Sequence, residues 1–205
     1  RIIGGSSMIT LCMDTSHIFL SLALICDNEI IGEVQEECWK HQSEEIFPKL
    51  EQMLSNLSLK SDDIDQIVIT KGPGSYTGVR IAMTIAKVFC SMKNKPLYTL
   101  PTMLLYAGME DCRVVLDARG KRVYTCAYRN GKAVEEERVE YIADLENTVC
   151  DEKLIGDGQL FGKEAYYPNM AKNFLLLKNE WQKAENVHLV VPEYLKSSDA
   201  YNVNK

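Results

Sequence analysis

The chain has 205 residues, 46% hydrophobic and 25% charged, an ordinary globular balance that excludes intrinsic disorder. With 23 basic against 29 acidic residues its net charge is −6, which disfavours a stand-alone nucleic-acid-binding module, because such modules need a basic face. No apolar run is long enough to span a membrane. The seven cysteines are odd in number, widely spaced and lack a C-x-x-C pair, so they read as reduced thiols of a cytoplasmic protein. Residues 1–7, which end in Gly-Gly-Ser-Ser ahead of Met8, read as a vector-derived extension, with native sequence starting at Met8.

From Met8 onward the pattern predicts three strands in an antiparallel meander. Ile9, Leu11 and Met13 alternate toward a turn at Asp14-Thr15-Ser16; an apolar run over 19–26 follows, then a turn at 27–29 and a third strand. The period then changes. Ile46, Phe47, Leu50, Met53, Leu54 and Leu57 recur at three- and four-residue steps, predicting a helix over 43–56 with Ser43 as N-cap. A β-branched strand over 66–70 enters the glycine loop 72–78, and a second helix is expected over 77–93. On it Ile81, Ile85, Val88, Phe89 and Met92 are expected to face the core, which leaves Tyr76, Val79 and Met83 for another surface. Strands are predicted at 97–100, 114–118, 123–128 and 154–156, with a hairpin turn at Asn130-Gly131 and a helix opening at Gly158. This order predicts an α/β fold with a mixed sheet, divided near Pro101 into residues 8–100 and 101–205.

Two loops could carry chemistry. Gly72, Gly74 and Gly78 do not fit the dinucleotide pattern, and no Gly-Lys-Ser/Thr follows them. A strand, a tight loop and a helix N-terminus with Ser75 in the loop can accept an anion, but close strand–helix packing also calls for glycine, and the spacing favours that structural role. Asp14-Thr15-Ser16 suits a turn first and phosphate-bound magnesium second. His17, His41 and His188 stand apart with no metal-binding spacing. Residues 66–109 contain no acidic residue but hold Lys71, Arg80, Lys87, Lys93 and Lys95, which reads as a solvated basic face before an anion-binding one.

The combination is more telling than any part. Asp14-Thr15-Ser16, the run Lys-Gly-Pro-Gly-Ser-Tyr-Thr-Gly-Val-Arg-Ile-Ala-Met at 71–83, Asp117-Ala118-Arg119 with Val123-Tyr124, Gly156-Asp157-Gly158 and Pro-Glu-Tyr-Leu-Lys at 192–196 together resemble the TsaB (YeaZ) family. The resemblance implies the two-lobed actin/hexokinase/Hsp70-like fold, with mixed sheets flanked by helices. It also implies a non-catalytic, cytoplasmic subunit that supports a TsaD-like paralogue and works with a TsaE-like ATPase. That complex installs threonylcarbamoyladenosine at adenosine 37 of tRNA, and this chain would meet tRNA only through it. In the paralogue a pair of metal-binding histidines lies at the places held here by Thr102 and Tyr106, so no catalytic metal and no cofactor are expected, weak nucleotide binding aside. Asp14, Thr15, Ser16, Gly72, Gly74, Ser75, Gly78, Asp117, Gly156, Asp157 and Gly158 would form vestigial nucleotide or anion loops. The partner contact is expected on Leu50, Leu54, Tyr76, Val79, Arg80, Met83 and Lys87, with a homodimer in the partner's absence. A Met83→Glu change is then expected to break the complex and leave the fold intact. The alternative is a nucleotide-binding kinase-like or peptidase-like enzyme of the same fold.

Overall fold

A computed structural model describes residues 6–195; residues 1–5 of the expected extension and Lys196 of the last motif lie outside them. Strands β1 (Ile9–Asp14), β2 (Phe19–Cys26) and β3 (Glu29–Glu37) form the antiparallel meander, and helix α1 (Gln42–Asn56) follows. Strand β4 (Gln66–Thr70), helix α2 (Tyr76–Lys93) and strand β5 (Leu97–Leu100) come next, with β4 parallel to β1 and β5 parallel to β4. After helix α3 (Thr102–Ala107), strands β6 (Cys112–Arg119), β7 (Arg122–Arg129), β8 (Lys132–Ala133) and β9 (Arg138–Tyr141) lead to the short helix α4 (Ile142–Leu145). Strand β10 (Leu154–Gly156), helix α5 (Met170–Leu176) and strand β11 (Gln182–Lys183) complete the order. At Gly158 the expected helix is a single 3-10 turn, Gly158–Phe161.

Two mixed sheets result. The first runs β11-β5-β4-β1-β2-β3; the second runs β10-β6-β7-β8, with β9 also on β7. Strand β1 is buried along its whole length because both faces of its sheet are covered. Its alternation sorts the cores. Ile9, Leu11 and Met13 point into a cluster under α1 and α2, and Cys12 points into the core between the sheets with α3 and α5. A small third cluster, Val115, Val123, Leu145, Val149 and Leu154, sits between α4 and the outer face of the second sheet.

Helix α2 corrects the expected orientation. Val79, Ala82, Met83, Ala86 and Cys90 face the sheet, while Val88 and Met92 are 53% and 77% exposed. The chain therefore turns its smaller residues inward: Ala82 and Ala86 let the helix lie close on the strands. Ser75 caps α2 by accepting the Gly78 amide at 2.9 Å. The N-cap of α1 is His41 rather than Ser43 and makes no side-chain cap bond. Beside it the buried Gln42 donates to the carbonyls of His17 and Phe19, tying α1 to the first hairpin.

Among the described residues no helix is long and apolar enough to cross a membrane. All seven cysteines are free. Burial pushes Cys90 and Cys126 up to about 11 and Cys112 up to about 12, so these thiols serve as core hydrophobes rather than nucleophiles.

Candidate functional site: a tied cleft and an open groove

The ends of β1 and β4 bring the first motif onto the glycine loop. Asp14 is fully buried, and its Oδ1 accepts from the Ser16 amide (3.1 Å), Ser16 Oγ (2.5 Å) and Thr70 Oγ1 (2.6 Å). Thr15 Oγ1 donates to the Gly78 carbonyl at 2.6 Å and accepts from the Ala82 amide at 3.2 Å, while the Ser75 amide donates to the Ser16 carbonyl at 2.9 Å. A Cβ on Gly74 would stand 2.4 Å from the Ser16 oxygen, and one on Gly78 would stand 2.3 Å from the Thr15 oxygen. Glycine is needed here because backbone meets backbone, and the Ser75 amide, a donor that could face an anion, bonds the Ser16 carbonyl instead. Gly156 and Gly158 play the same close-packing part in the second lobe, against the carbonyls of Val115 and Glu164.

Across from this hairpin, Asp117 and Asp157 come from the second sheet. Asp157 Oδ2 accepts the Asp117 amide at 2.7 Å and lies 2.9 Å from His17 Nε2, a carboxylate–imidazole contact without ideal hydrogen-bond alignment. Its Oδ1 accepts from the Tyr167 hydroxyl. Burial alone would raise the Asp157 pKa, but His17, Tyr167 and the Asp117 amide outweigh it and hold the carboxyl at about 2. Asp117 turns back on its own strand end, where Oδ1 accepts the Arg119 amide at 2.8 Å.

These groups border a cleft of about 660 Å³ between the lobes, with His17, Trp39, Tyr76, Arg119 and Tyr167 on its walls. The Arg119 guanidinium stacks 4.2 Å from the Trp39 ring. Beneath the cleft, Thr102 Oγ1 accepts the Gly72 amide at 3.1 Å, and Tyr106 is fully buried, edge-on to His17 at 6.1 Å. Burial, then the charges of Asp14 and Asp157, keep the Tyr106 hydroxyl protonated. Asp14 Oδ2 and that hydroxyl have no protein partner among the described residues. Nor, among those residues, do three His, Cys, Asp or Glu side chains converge as metal ligands.

The residues expected at the partner contact divide. Val79, Met83 and Leu54 lie in the core at 1%, 3% and 7% exposure and cannot form a surface; Met83→Glu would bury a charge in the fold itself. Arg80 and Lys87 are engaged by the C-terminal segment, Arg80 donating to Tyr194 OH (2.9 Å) and Lys87 to the Val190 carbonyl (2.7 Å). Lys71, Lys93 and Lys95 pair with Glu193, Asp62 and Asp65, so all five cations of the acid-free stretch have partners within the chain. What α1 and α2 do leave open is an apolar groove of about 520 Å³. Leu50, Phe47, Ile85, Val88 and Met92 line it, and Leu11 and Ile67 of the sheet lie at its base.

Sequence reasoning missed His17 and Tyr167 as partners of Asp157, and Trp39 as a cleft wall. The one available signal was the position of His17 directly after Asp-Thr-Ser.

Fold and site thus define a two-lobed α/β protein whose interlobe cleft is walled by Asp117 and Asp157, both bonded to other groups of the chain. The family model for TsaD, the tRNA N6-adenosine threonylcarbamoyltransferase, matches residues 25–175. The tRNA threonylcarbamoyladenosine biosynthesis protein TsaB of Bacillus subtilis is 28% identical over 94% of this chain and 96% of its own length. The Escherichia coli TsaB is 28% identical over 58% of this chain and 54% of its own. A Pseudomonas aeruginosa crystal structure described as similar to peptidase YeaZ superposes with a TM-score of 0.75 at 19% identity, covering 92% of this chain and all of that one. The chain belongs to the TsaD-like family and, within it, to the TsaB (YeaZ) proteins.

Proposed function

We propose that the chain serves tRNA threonylcarbamoyladenosine biosynthesis as a non-catalytic subunit that binds a TsaD-like paralogue through the α1–α2 groove. The observation that carries this reading is the contrast between cleft and groove. In the cleft, Asp157 is bonded to Tyr167 and the Asp117 amide, Asp117 accepts the Arg119 amide, and the Ser75 amide bonds the Ser16 carbonyl. Among the described residues no cluster of metal-ligating side chains is assembled. On α1 and α2, Phe47, Val88 and Met92 are 59%, 53% and 77% exposed around one groove, the kind of apolar centre that specific interfaces bury. The same groove would let two copies of the chain pair when the paralogue is absent.

On this reading the chain needs no cofactor, binds nucleotide weakly if at all, and meets tRNA and the TsaE-like ATPase only as part of the complex. Reconstitution with the paralogue, the ATPase and tRNA tests it. Modified adenosine is expected only when both the chain and the paralogue are present, and the chain alone should hydrolyse no ATP. ATP turnover by the purified chain that disappears in Asp14→Ala or Asp117→Ala would instead support a kinase-like enzyme and overturn the proposal.

A further inference from the structure

After α5 the chain leaves the second lobe and returns across the first. Residues 182–195 form a strap. Gln182 and Lys183 add β11 to the edge of β5, and the Ala184 amide donates to the Leu97 carbonyl at 2.8 Å. Val187 and Val190 then pack on the cluster beneath α2. Near its end the strap grips the glycine loop. The Glu193 amide donates to the Lys71 carbonyl at 2.8 Å, and the Glu193 carboxylate pairs with Lys71 Nζ at 2.8 Å. Tyr194 stacks on Tyr76 with ring centres 5.6 Å apart and accepts from Arg80, whose guanidinium lies 4.1 Å from the Tyr76 ring. Gly72 is shaped to this contact: its φ is +104°, and a Cβ there would stand 2.6 Å from the Glu193 oxygen.

The strap's contacts on α2 fall at Tyr76, Arg80, Lys87 and Ser91, which 3.6 residues per turn places along one line of the helix. Val79, Met83 and Ala86 make a second line, on the sheet, and Ile85, Val88 and Met92 make the third, on the groove. The groove itself separates α2 from α1, with Leu11 and Ile67 at its base. Along that length α1 and α2 touch at only a few points. The strap holds α2 on another flank, through Tyr76, Arg80, Lys87 and Ser91.

Resting on the reading that the groove receives the paralogue, we propose that the strap sets the position of α2, and with it the width of the groove, so that strap attachment and partner binding are linked. Linkage is reciprocal: what the strap does for the partner, the partner does for the strap. Tyr194 and Arg80 are then positioning residues, since both act on the far side of the helix from the groove.

Hydrogen exchange of the full chain, with and without the paralogue, reads the link directly, together with the affinities of three variants. Amides of 184–195 are expected to exchange more slowly in the complex although they lie outside the groove. Tyr194→Ala, which removes both the ring stack and the exposed bond from Arg80, should weaken binding about fivefold, while Tyr194→Phe, which loses only that bond and keeps the stack, should weaken it less. Met92→Glu serves as the control for the groove. If Met92→Glu abolishes binding but strap exchange and Tyr194→Ala affinity match the parent, the strap inference alone is wrong. If Met92→Glu binds like the parent, the groove reading falls and the strap inference falls with it.

Discussion

The first lobe lays two helices of 15 and 18 residues over the outer face of its sheet, whereas the second covers its outer face mainly with the four-residue α4 and a 3-10 turn. The lobes open alike, each with an antiparallel hairpin followed by a strand parallel to the first. They differ in what is stacked outside. The outer core of the second lobe is a cluster of five residues, and charge reinforces it: Arg113, largely buried, binds Glu152 through Nε and Glu135 through Nη1 at 2.6 Å. Removing either carboxylate would leave the largely buried Arg113 guanidinium short of a partner. The two lobes divide the labour. Length of helix gives the first lobe an apolar face to offer, and the second lobe supplies the cleft wall and the strap that returns to α2.

Substitutions can break that division or sharpen it. The largest effect is expected from Met83→Glu, which would place a carboxylate among Val79, Ala86 and the first sheet. A loss of about 3 kcal/mol or more in denaturant-derived stability is expected, whereas Met92→Glu, on the same helix, should leave stability nearly unchanged. Equal stabilities for the two variants would mean that the faces of α2 are assigned the wrong way round.

Asp157→Asn comes next, because Asp157 joins the first-lobe hairpin to the second lobe. Its folded pKa of about 2 lies below the ordinary 3.8, so its contribution is complete above pH 4 and is lost as pH falls from about 4 to 2. A shift of that size corresponds to about 2 kcal/mol. Stability of the parent should fall through that window, and the Asn variant, weaker at neutral pH, should fall less steeply there. Parallel pH profiles would show that Asp157 is not held low by His17 and Tyr167.

Smallest of all should be Tyr106→Phe. The Tyr106 hydroxyl has no protein partner among the described residues, so removing it should change stability by no more than about 1 kcal/mol and leave tRNA modification at parent level. Loss of modification with an intact fold would give this hydroxyl a role in the reaction.

Much of the first lobe was legible in the sequence. The strands β1–β3 alternate, and α1 and α2 carry a clear 3.6-residue period. The facing of α2 was not, because two apolar lines run along one helix. Ile81, Ile85, Val88 and Met92 have the larger hydrophobic bulk, yet the line with Val79, Ala82, Met83 and Ala86 is the one that fits against the sheet. Periodicity reports that a stripe exists and not which neighbour covers it. In the second lobe α4, β9 and β11 are too short to show a period at all. At the cleft, Asp14, Asp117 and Asp157 were found from their motifs, but the His17–Asp157 contact spans 140 positions, and nothing local in the chain announces it.

Reconstituted tRNA modification with purified variants tests most directly whether the groove rather than the cleft carries the proposed function. Asp117→Ala in the cleft should support modified-adenosine formation within about twofold of the parent, while Met92→Glu should lose binding to the paralogue and modification together, with the fold of both variants intact. The reverse pattern, an active Met92→Glu and an inactive but folded and complexed Asp117→Ala, would contradict it.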